Sequence, residues 1–159
     1  MGERVSVARR RIGLILLAFA AGLLWTAPSW ADDKGVPWKD YERALKEARD
    51  KERPVFLYFF VDSCVYCRKM DSQTLVAGRV VDHLKEGFIS VRINADRAPE
   101  LARKYMVRGF PTSWFLSPTG EAISSLPGYL GPEEFSKVLR YIGGGHYRSK
   151  SLRAYLEGS

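Results

Sequence analysis

Residues 54–67 read PVFLYFFVDSCVYC, and this stretch decides the fold. Its first part, Pro54 to Val61, is a continuous apolar and aromatic run, which is typical of a strand buried on both faces. Cys64 and Cys67 follow directly, and the residues from Cys67 to about Leu75 are predicted to start a helix. A buried strand that leads into a C-x-x-C at the start of a helix indicates a dithiol redox site.

The chain has two cysteines, Cys64 and Cys67. A disulfide between them would close a very short loop, so it would remove little entropy from the unfolded chain and would not staple the fold. The pair therefore serves either redox chemistry or metal binding. A zinc site normally needs four ligands, and only His83 and His146, far apart in the sequence, could complete it. Covalent haem attachment needs His directly after the second cysteine, where this chain has Arg68, so we predict no metal and no cofactor.

The two cysteines are predicted to have different roles. Because a thiolate attacks a disulfide, the attacking cysteine must be the one whose negative charge is favoured. Cys64 is expected in the first turn of the helix, where unpaired N–H groups and the helix dipole favour that charge. Arg68 and Lys69 add positive potential, whereas Asp62 either opposes them or caps the helix. We therefore predict that Cys64 attacks the partner's disulfide and that Cys67, one turn further on and pointing inward, resolves the mixed disulfide.

Helical and extended patterns alternate along the rest of the chain. An amphipathic helix is predicted from Trp38 to Ala48, with Pro37 just before it in a favoured starting position. Further helices are predicted at about 78–85, 99–106 and 132–142, and further strands at 88–94, 113–116 and 121–126. The last two strands are expected to form a hairpin. This alternation predicts an α/β layer architecture.

From about Trp38 to Ile142 the chain resembles the thioredoxin superfamily. Two motifs in the same order carry the resemblance: Cys64-Val65-Tyr66-Cys67, and VRGFPT at residues 107–112, about forty residues later. The resemblance implies an α/β thioredoxin fold, with a central mixed sheet of about four to five strands flanked by helices. Within the superfamily the chain looks most like small exported thioredoxin-like proteins and the C-terminal domain of the periplasmic disulfide reductase.

The resemblance also implies which residues contact a partner protein. In the family, the proline of the second motif has a cis peptide bond and faces the cysteine pair, and Pro111 matches it. Pro111 would offer the sulfurs an apolar wall, and Phe110 would present its backbone to an extended partner as an added strand. Val65 and Tyr66, between the cysteines, match the residues that tune the redox potential in the family and complete the predicted substrate-binding set.

Two positions near the cysteines depart from cytoplasmic thioredoxin. That protein has a Trp before the first cysteine and a buried Asp six positions upstream, whereas this chain has Ser63 and Tyr58 there. The Asp is credited with proton handling for the buried cysteine, and a tyrosine is a poor base at neutral pH. At this position the chain therefore lacks the carboxyl group that handles this proton in the family.

The N-terminus has the pattern of an export signal. A basic start from Arg4 to Arg11 precedes an apolar run from Ile12 to Trp25, which is shorter than the roughly 20 residues that span a membrane. Ser29 and Ala31 are small, as a signal peptidase requires before its cleavage site. We predict a signal peptide at residues 1–31 and a periplasmic or otherwise exported domain, with a membrane anchor formed by an uncleaved signal as the alternative.

The sequence predicts one domain beyond the signal, at residues 32–142, and then a glycine break and a short tail helix at 143–159. Residues 1–31 carry four Arg and one Glu, so the rest of the chain keeps about +4 of the net charge of +7. These charges are dispersed, and we predict no nucleic-acid partner. We expect a monomer, because the chain has no room for an added dimerisation domain.

Our leading hypothesis is a reductant of protein disulfides in an oxidising compartment. Isomerases of this fold usually carry a dimerisation domain and oxidases a helical insertion, and the stretch from Asn94 to Gly109 is too short for the latter. Two alternatives stay open: a disulfide oxidase or isomerase with the same cysteines, and a binding module without turnover. The chain has no G-x-G-x-x-G after a strand, so we expect a membrane-bound thiol protein as its electron donor.

Overall fold

A computed structural model of the protein describes residue 2 and residues 35–158. Apart from Gly2, the predicted signal peptide lies outside the described residues. No helix within the described part of the chain is long and apolar enough to cross a membrane. The elements described below belong to one compact unit.

Five strands form one mixed sheet in the order β1-β3-β2-β4-β5. The strands are β1 (Trp38–Lys39), β2 (Val55–Phe60), β3 (Ile89–Asn94), β4 (Thr112–Leu116) and β5 (Ala122–Pro127). β1 and β2 run parallel to β3, β4 is antiparallel to β2, and β4 and β5 form the expected hairpin. The α/β thioredoxin fold predicted from the sequence, with a sheet of four to five strands flanked by helices, is confirmed.

Within residues 35–158, six α-helices flank this sheet. They are α1 (Tyr41–Lys51), α2 (Val65–Lys69), α3 (Gly78–Gly87), α4 (Pro99–Lys104), α5 (Pro132–Gly143) and α6 (Leu152–Glu157). A π-helical turn, Met70–Thr74, continues α2 without a break, and a 3-10 turn, His146–Arg148, precedes α6. Leu152 and Tyr155 of the tail pack against the core, and the Tyr141 hydroxyl donates to the Lys150 carbonyl over 2.7 Å. The residues after the glycine break are therefore docked on the domain.

The central strand β2 explains the long apolar run in the sequence. Residues Val55 to Phe59 are wholly buried because helices cover both faces of the sheet. Phe56 and Tyr58 pack into a cluster with α3 and α5, whereas Leu57 and Phe59 pack into a second cluster with α1 and the residues around α4. Side chains alternate between the faces along a strand, so both faces need apolar residues.

The predicted helix start at Trp38 is wrong. Trp38 and Lys39 form the short edge strand β1, which pairs with Ser90 and Val91, and the helix begins only at Tyr41. The indole of Trp38 packs against the rings of Phe56 and Tyr58, on the opposite face of the sheet from the buried residues of α1. Trp38 thus fits the helical spacing of α1 in the sequence, but its side chain lies on the other face of the sheet.

The predicted strand at 88–94 exists as β3, but its burial does not alternate as its sequence does. Ser90 is buried like its apolar neighbours, because β3 lies between β1 and β2, and only Arg92 of the strand is exposed. The helix predicted to run from Pro99 to Met106 ends at Lys104. Met106 adopts a left-handed backbone conformation with a φ of 51°. That conformation ends the helix ahead of the loop that leads to Pro111.

Candidate active site

The cysteine pair lies where β2 leads into α2, as the sequence predicts. Cys64 is the N-cap residue of α2, with extended backbone angles, and Cys67 lies in the first turn of the helix. The two residues are joined by a disulfide, with 5.2 Å between their Cα atoms. Cys64 is partly exposed, whereas only 1% of Cys67 is accessible to solvent. A partner's sulfur can therefore reach Cys64 and not Cys67.

The environment of the Cys64 sulfur favours a negative charge. The backbone N–H of Cys67 donates to this sulfur over 3.0 Å, so the sulfur caps the helix. An N-terminal helix dipole and a direct N–H donor both favour the thiolate over the thiol. The site thus provides for a nucleophile at Cys64 once the disulfide is reduced.

The Asp62 side chain does not cap α2, and its negative charge near Cys64 has a positively charged partner. Its carboxylate accepts from the Asn94 side-chain amide over 3.1 Å and pairs with Arg97 at 3.4 Å. The Asp62 backbone carbonyl accepts from the Arg68 guanidinium over 3.1 Å. The sequence allowed Asp62 either to cap α2 or to oppose the positive potential at Cys64. The Cys64 sulfur takes the capping role, and Arg97 offsets the negative charge of Asp62.

The backbone carbonyl of Cys67 belongs to a polar network that the sequence analysis did not predict. Tyr58, which is wholly buried, donates from its hydroxyl to the Cys67 carbonyl oxygen over 3.2 Å. Arg92 pairs at 2.6 Å with the carboxylate of Asp71, which lies one helical turn after Cys67 and whose charge acts on Tyr58. Arg92 stands directly opposite Tyr58 in the β2–β3 register. A carboxyl group is thus present near the buried cysteine, although Tyr58 occupies the position of the thioredoxin Asp.

Burial shapes the proton affinities in this network. It raises the pKa of Tyr58 beyond its ordinary range, and the nearby charge of Asp71 adds to the effect, so Tyr58 stays protonated. Burial also raises the pKa of Asp71 above its usual value, against the opposing pull of the Arg92 charge and of the hydrogen bonds from Tyr58 and Arg92.

The second motif, VRGFPT at residues 107–112, lies at the same end of the sheet as Cys64, which follows the last residues of β2. Thr112 pairs with Phe59, so Pro111 stands at the level of Phe60, four residues before Cys64 along the other strand. The Phe110–Pro111 peptide bond is cis, Pro111 is buried, and its carbonyl accepts from the Gly128 N–H over 2.7 Å. Phe110 is partly buried and packs with the cluster on the α1 face of the sheet.

The remaining predicted contact residues, Val65 and Tyr66, face solvent. They are 65% and 61% exposed, which is unusual for large apolar side chains, and they lie next to Cys64 at the start of α2. Exposed apolar side chains around a reactive group are typical of a surface that contacts another protein. No structural observation tests their roles, which stay predictions together with those of Phe110 and Pro111.

A second missed feature is the loop 128–130, which braces both parts of the site. Its Gly128 binds the Pro111 carbonyl, as described above, and the Leu130 carbonyl accepts from the Thr74 hydroxyl over 2.7 Å. The Tyr129 hydroxyl donates to the Gln73 amide oxygen over 3.0 Å, and Lys69 lies 4.4 Å from the centre of the Tyr129 ring. The loop thus ties the helix that carries the cysteines to the Pro111 segment.

The metal alternative has no assembled ligand set in the part of the chain that the structure describes. Residues 35–158 contain no group of three or more His, Cys, Asp or Glu side chains that could hold a metal ion. His83 belongs to α3, and His146 stacks on Tyr155 of the tail with 4.9 Å between ring centres.

Comparisons with known proteins point in one direction. A family model described as a thioredoxin-like domain matches residues 41–143. The thiol:disulfide interchange protein DsbD of Vibrio cholerae is 29% identical over 144 residues, which cover 80% of this chain and 24% of that protein. Protein disulfide-isomerase 5-2 of Arabidopsis thaliana is 27% identical over 88 residues, which cover 55% of this chain and 19% of that protein. The chain thus spans a quarter or less of the curated relatives that it matches.

Solved structures agree with the sequence comparisons. A thioredoxin from Thermus thermophilus superposes with a TM-score of 0.63 at 33% identity, over 70% of this chain and 92% of that one. The C-terminal domain of DsbD from Neisseria meningitidis, in its reduced form, superposes with a TM-score of 0.50 at 25% identity, over 62% of this chain and 94% of that one.

Proposed function

The chain belongs to the family of thioredoxin-like domains, and from this premise we propose that it reduces protein disulfides outside the cytoplasm. Its enzymatic class is that of the thiol–disulfide oxidoreductases, with Cys64 and Cys67 as the exchanging pair. The single observation that carries the proposed mechanism is the contrast between a partly exposed Cys64, whose sulfur accepts a hydrogen bond from a backbone N–H, and a buried Cys67.

In the proposed reaction the Cys64 thiolate attacks a disulfide of a partner protein. One partner sulfur leaves as a thiolate, and the other forms a mixed disulfide with Cys64. Cys67 then gives up its proton and attacks the Cys64 sulfur, which releases the second partner thiolate. The partner takes up two electrons and two protons, and this chain ends with the Cys64–Cys67 disulfide that the structure contains.

Two features support reduction as the direction. The segment between β3 and β4 contains only the six-residue helix α4, so it has no room for the helical insertion that oxidases of this fold carry. The similarity to DsbD proteins, which are named thiol:disulfide interchange proteins, favours a member of an electron-transfer chain. The oxidised pair must then be recharged by a second dithiol, and we propose a membrane-bound thiol protein as this donor.

The export proposal rests on the N-terminal sequence alone, with its basic start, short apolar run and small residues at Ser29 and Ala31. It is tested by expressing the full chain, fractionating the cells and measuring the mass of the product. An exported product that begins at Asp32 supports it. A product that keeps residues 1–31 and stays in the cytoplasm contradicts it.

The direction of electron flow is tested by the redox state of the pair in living cells. Acid-trapped thiols are alkylated with a mass tag, and the shift of the protein is read on a gel. We expect Cys64 and Cys67 to be mostly reduced, and to become oxidised when the membrane donor is deleted. A pair that is oxidised at steady state in unperturbed cells contradicts the reductant and supports an oxidase.

An insulin-reduction assay distinguishes an enzyme from a binding module without turnover. Wild-type protein with dithiothreitol should accelerate the reduction of insulin disulfides, and a Cys64→Ser variant should not. Absence of any acceleration by the wild type would contradict the enzymatic assignment for this substrate class, irrespective of compartment.

A further inference from the structure

The negative charges near the cysteine pair are already compensated. Four segments lie at this end of the sheet: the turn 61–63, α2 with the π-helical turn that follows it, the segment 105–111 before β4, and the loop 128–130. They carry two carboxylates, of which Asp62 pairs with Arg97 at 3.4 Å and Asp71 pairs with Arg92 at 2.6 Å. Neither carboxylate therefore presents an uncompensated charge to a partner protein.

The positive charges of the same segments are not compensated. Arg68, Lys69 and Arg108 are exposed, and within the described part of the chain none of them pairs with a carboxylate. The Arg68 guanidinium donates to the Asp62 backbone carbonyl over 3.1 Å, and the Lys69 ammonium lies 4.4 Å from the centre of the Tyr129 ring. A carbonyl and an aromatic ring orient a cation without neutralising it. All three charges therefore stay available to a partner.

The helical register brings two of these charges next to Cys64. The Arg68 backbone N–H donates to the Cys64 carbonyl over 3.2 Å, so Arg68 lies one turn after Cys64 on the same side of the helix. Lys69 stands in the same relation to the exposed Val65. A partner chain that brings its disulfide to the Cys64 sulfur therefore passes close to both cations.

The third charge comes from a different segment at the same end of the sheet. Arg108 belongs to the second motif and precedes Pro111 by three residues. The Thr112 hydroxyl donates to the Gly109 carbonyl over 2.8 Å, which holds this segment against the first residue of β4. Cations from two segments that are distant in the sequence thus lie at the end of the sheet that carries the cysteine pair.

We propose that this surface selects partner disulfides that have acidic residues beside them, with Arg68, Lys69 and Arg108 as the residues that determine this specificity. The inference rests on the proposed function, because it names the substrate class of the same site. Carboxylates beside the partner's disulfide complement the three cations and raise the rate of productive encounter, whereas lysines or arginines there are repelled. Each turnover still converts one partner disulfide into two thiols and leaves this chain with the Cys64–Cys67 disulfide.

The test compares peptides that share one disulfide loop and differ only in the residues that flank its cysteines, which are Glu, Gln or Lys. Protein that has been reduced and freed of reductant is mixed with each peptide at about pH 7, and the peptide thiols are measured by mass spectrometry after acid quenching. Flanking charges also alter the reactivity of the peptide itself. Each second-order rate constant is therefore divided by that of the same peptide with dithiothreitol, which carries no fixed charge.

The normalised rate should be on the order of tenfold higher for the Glu peptide than for the Lys peptide at about 20 mM salt, with the Gln peptide between them. At about 1 M salt the Debye length falls to about 3 Å, and the difference should shrink to about twofold or less. Equal normalised rates at low salt, a faster Lys peptide, or a preference that salt does not reduce would each overturn the proposal.

Variants assign the preference to this surface. Lys69→Gln and Arg108→Gln should each lower the Glu-to-Lys ratio by about twofold, and the double variant should lose most of it. A changed reactivity of Cys64 affects all peptides alike and cancels in this ratio. Arg49→Gln is the matched control, because this exposed cation in the last turn of α1 precedes the start of β2, whereas Cys64 follows the end of that strand.

The control should leave the ratio unchanged. A ratio that persists in the double variant, or that falls equally in Arg49→Gln, overturns the assignment to this surface. The proposed function can fail separately. If the wild type reduces neither insulin nor any of the peptides, the proposed function is contradicted and the inference with it. If it reduces insulin and all peptides at equal normalised rates, only the preference for acidic partners is contradicted.

Discussion

The two faces of the central strand β2 are equally buried, yet they contribute differently to the protein. On the α1 face, Val55, Leu57 and Phe59 pack in a cluster of apolar and aromatic side chains. On the α5 face, Phe56 and Tyr58 also belong to an apolar cluster, but Tyr58 carries a hydroxyl that reaches the Cys67 peptide. The buried residues of β2 on the α1 face therefore serve mainly stability, whereas Tyr58 on the α5 face links the core to the Cys67 peptide.

The largest effect that tests this contrast is expected from Phe59→Ala. Removing a fully buried aromatic side chain should lower the free energy of unfolding by about 3–5 kcal/mol. The insulin-reduction rate per folded molecule should stay within about twofold of the wild type. Urea unfolding and the insulin assay measure the two quantities, and Phe59→Leu serves as a milder variant if the alanine protein does not fold. A strong loss of specific activity in folded Phe59→Leu would remove the distinction between the faces.

A smaller effect on stability, with a larger effect on activity, is expected from Thr74→Val. The change removes the donor to the Leu130 carbonyl and should cost about 1–3 kcal/mol. Because loop 128–130 also holds the Pro111 carbonyl through Gly128, insulin reduction by the folded variant should fall as well. Ser72→Ala, which alters an exposed hydroxyl on the same turn, is the control. Unchanged activity in folded Thr74→Val would mean that the loop does not brace the site.

The smallest effect concerns the pH dependence of stability. Burial raises the pKa of Asp71 in the folded state, so the native protein binds more protons than the unfolded chain between the two pKa values. The resulting stabilisation is complete below the unfolded pKa of about 3.9 and is lost as the pH rises through the folded pKa. Asp71→Asn should therefore gain stability relative to the wild type as the pH is raised through this window.

Glu47 provides a control of opposite sign for this prediction. The hydrogen bond from Lys51 lowers the pKa of Glu47, with the Lys39 charge acting in the same direction. Its contribution is therefore present above the unfolded pKa and lost as the pH falls through the folded one. Glu47→Gln should lose stability relative to the wild type as the pH rises. Urea unfolding of both variants at a series of pH values checks the two signs, and equal signs would contradict the account.

The sequence was most informative where one physical constraint dominates. The run from Pro54 to Val61 predicts β2, because a strand covered on both faces needs apolar residues at every position. The C-x-x-C motif predicts the start of α2 and the contrast between an accessible and a buried cysteine. Trp38 misled the prediction because its spacing fits α1, while its indole packs on the other face of the sheet.

The network around Cys67 was beyond sequence reasoning because it depends on pairing between distant segments. Arg92 meets Asp71 only because the β2–β3 register sets Arg92 opposite Tyr58. Two signals were present, namely an arginine within the apolar strand β3 and an acid one turn after Cys67. Neither signal identifies the other partner. The contact between Tyr129 and Gln73 has the same character, since the hairpin geometry brings the two residues together.

The most direct test of the division of labour between the cysteines is the capture of mixed disulfides. Cys67→Ser should leave Cys64 joined to its partners, because the buried resolving thiol is gone, and non-reducing gels of expressing cells should show discrete high-mass adducts. Cys64→Ser should show few or none, since only 1% of Cys67 is accessible. Adducts that form as well or better with Cys64→Ser would contradict the assignment of Cys64 as the attacking residue.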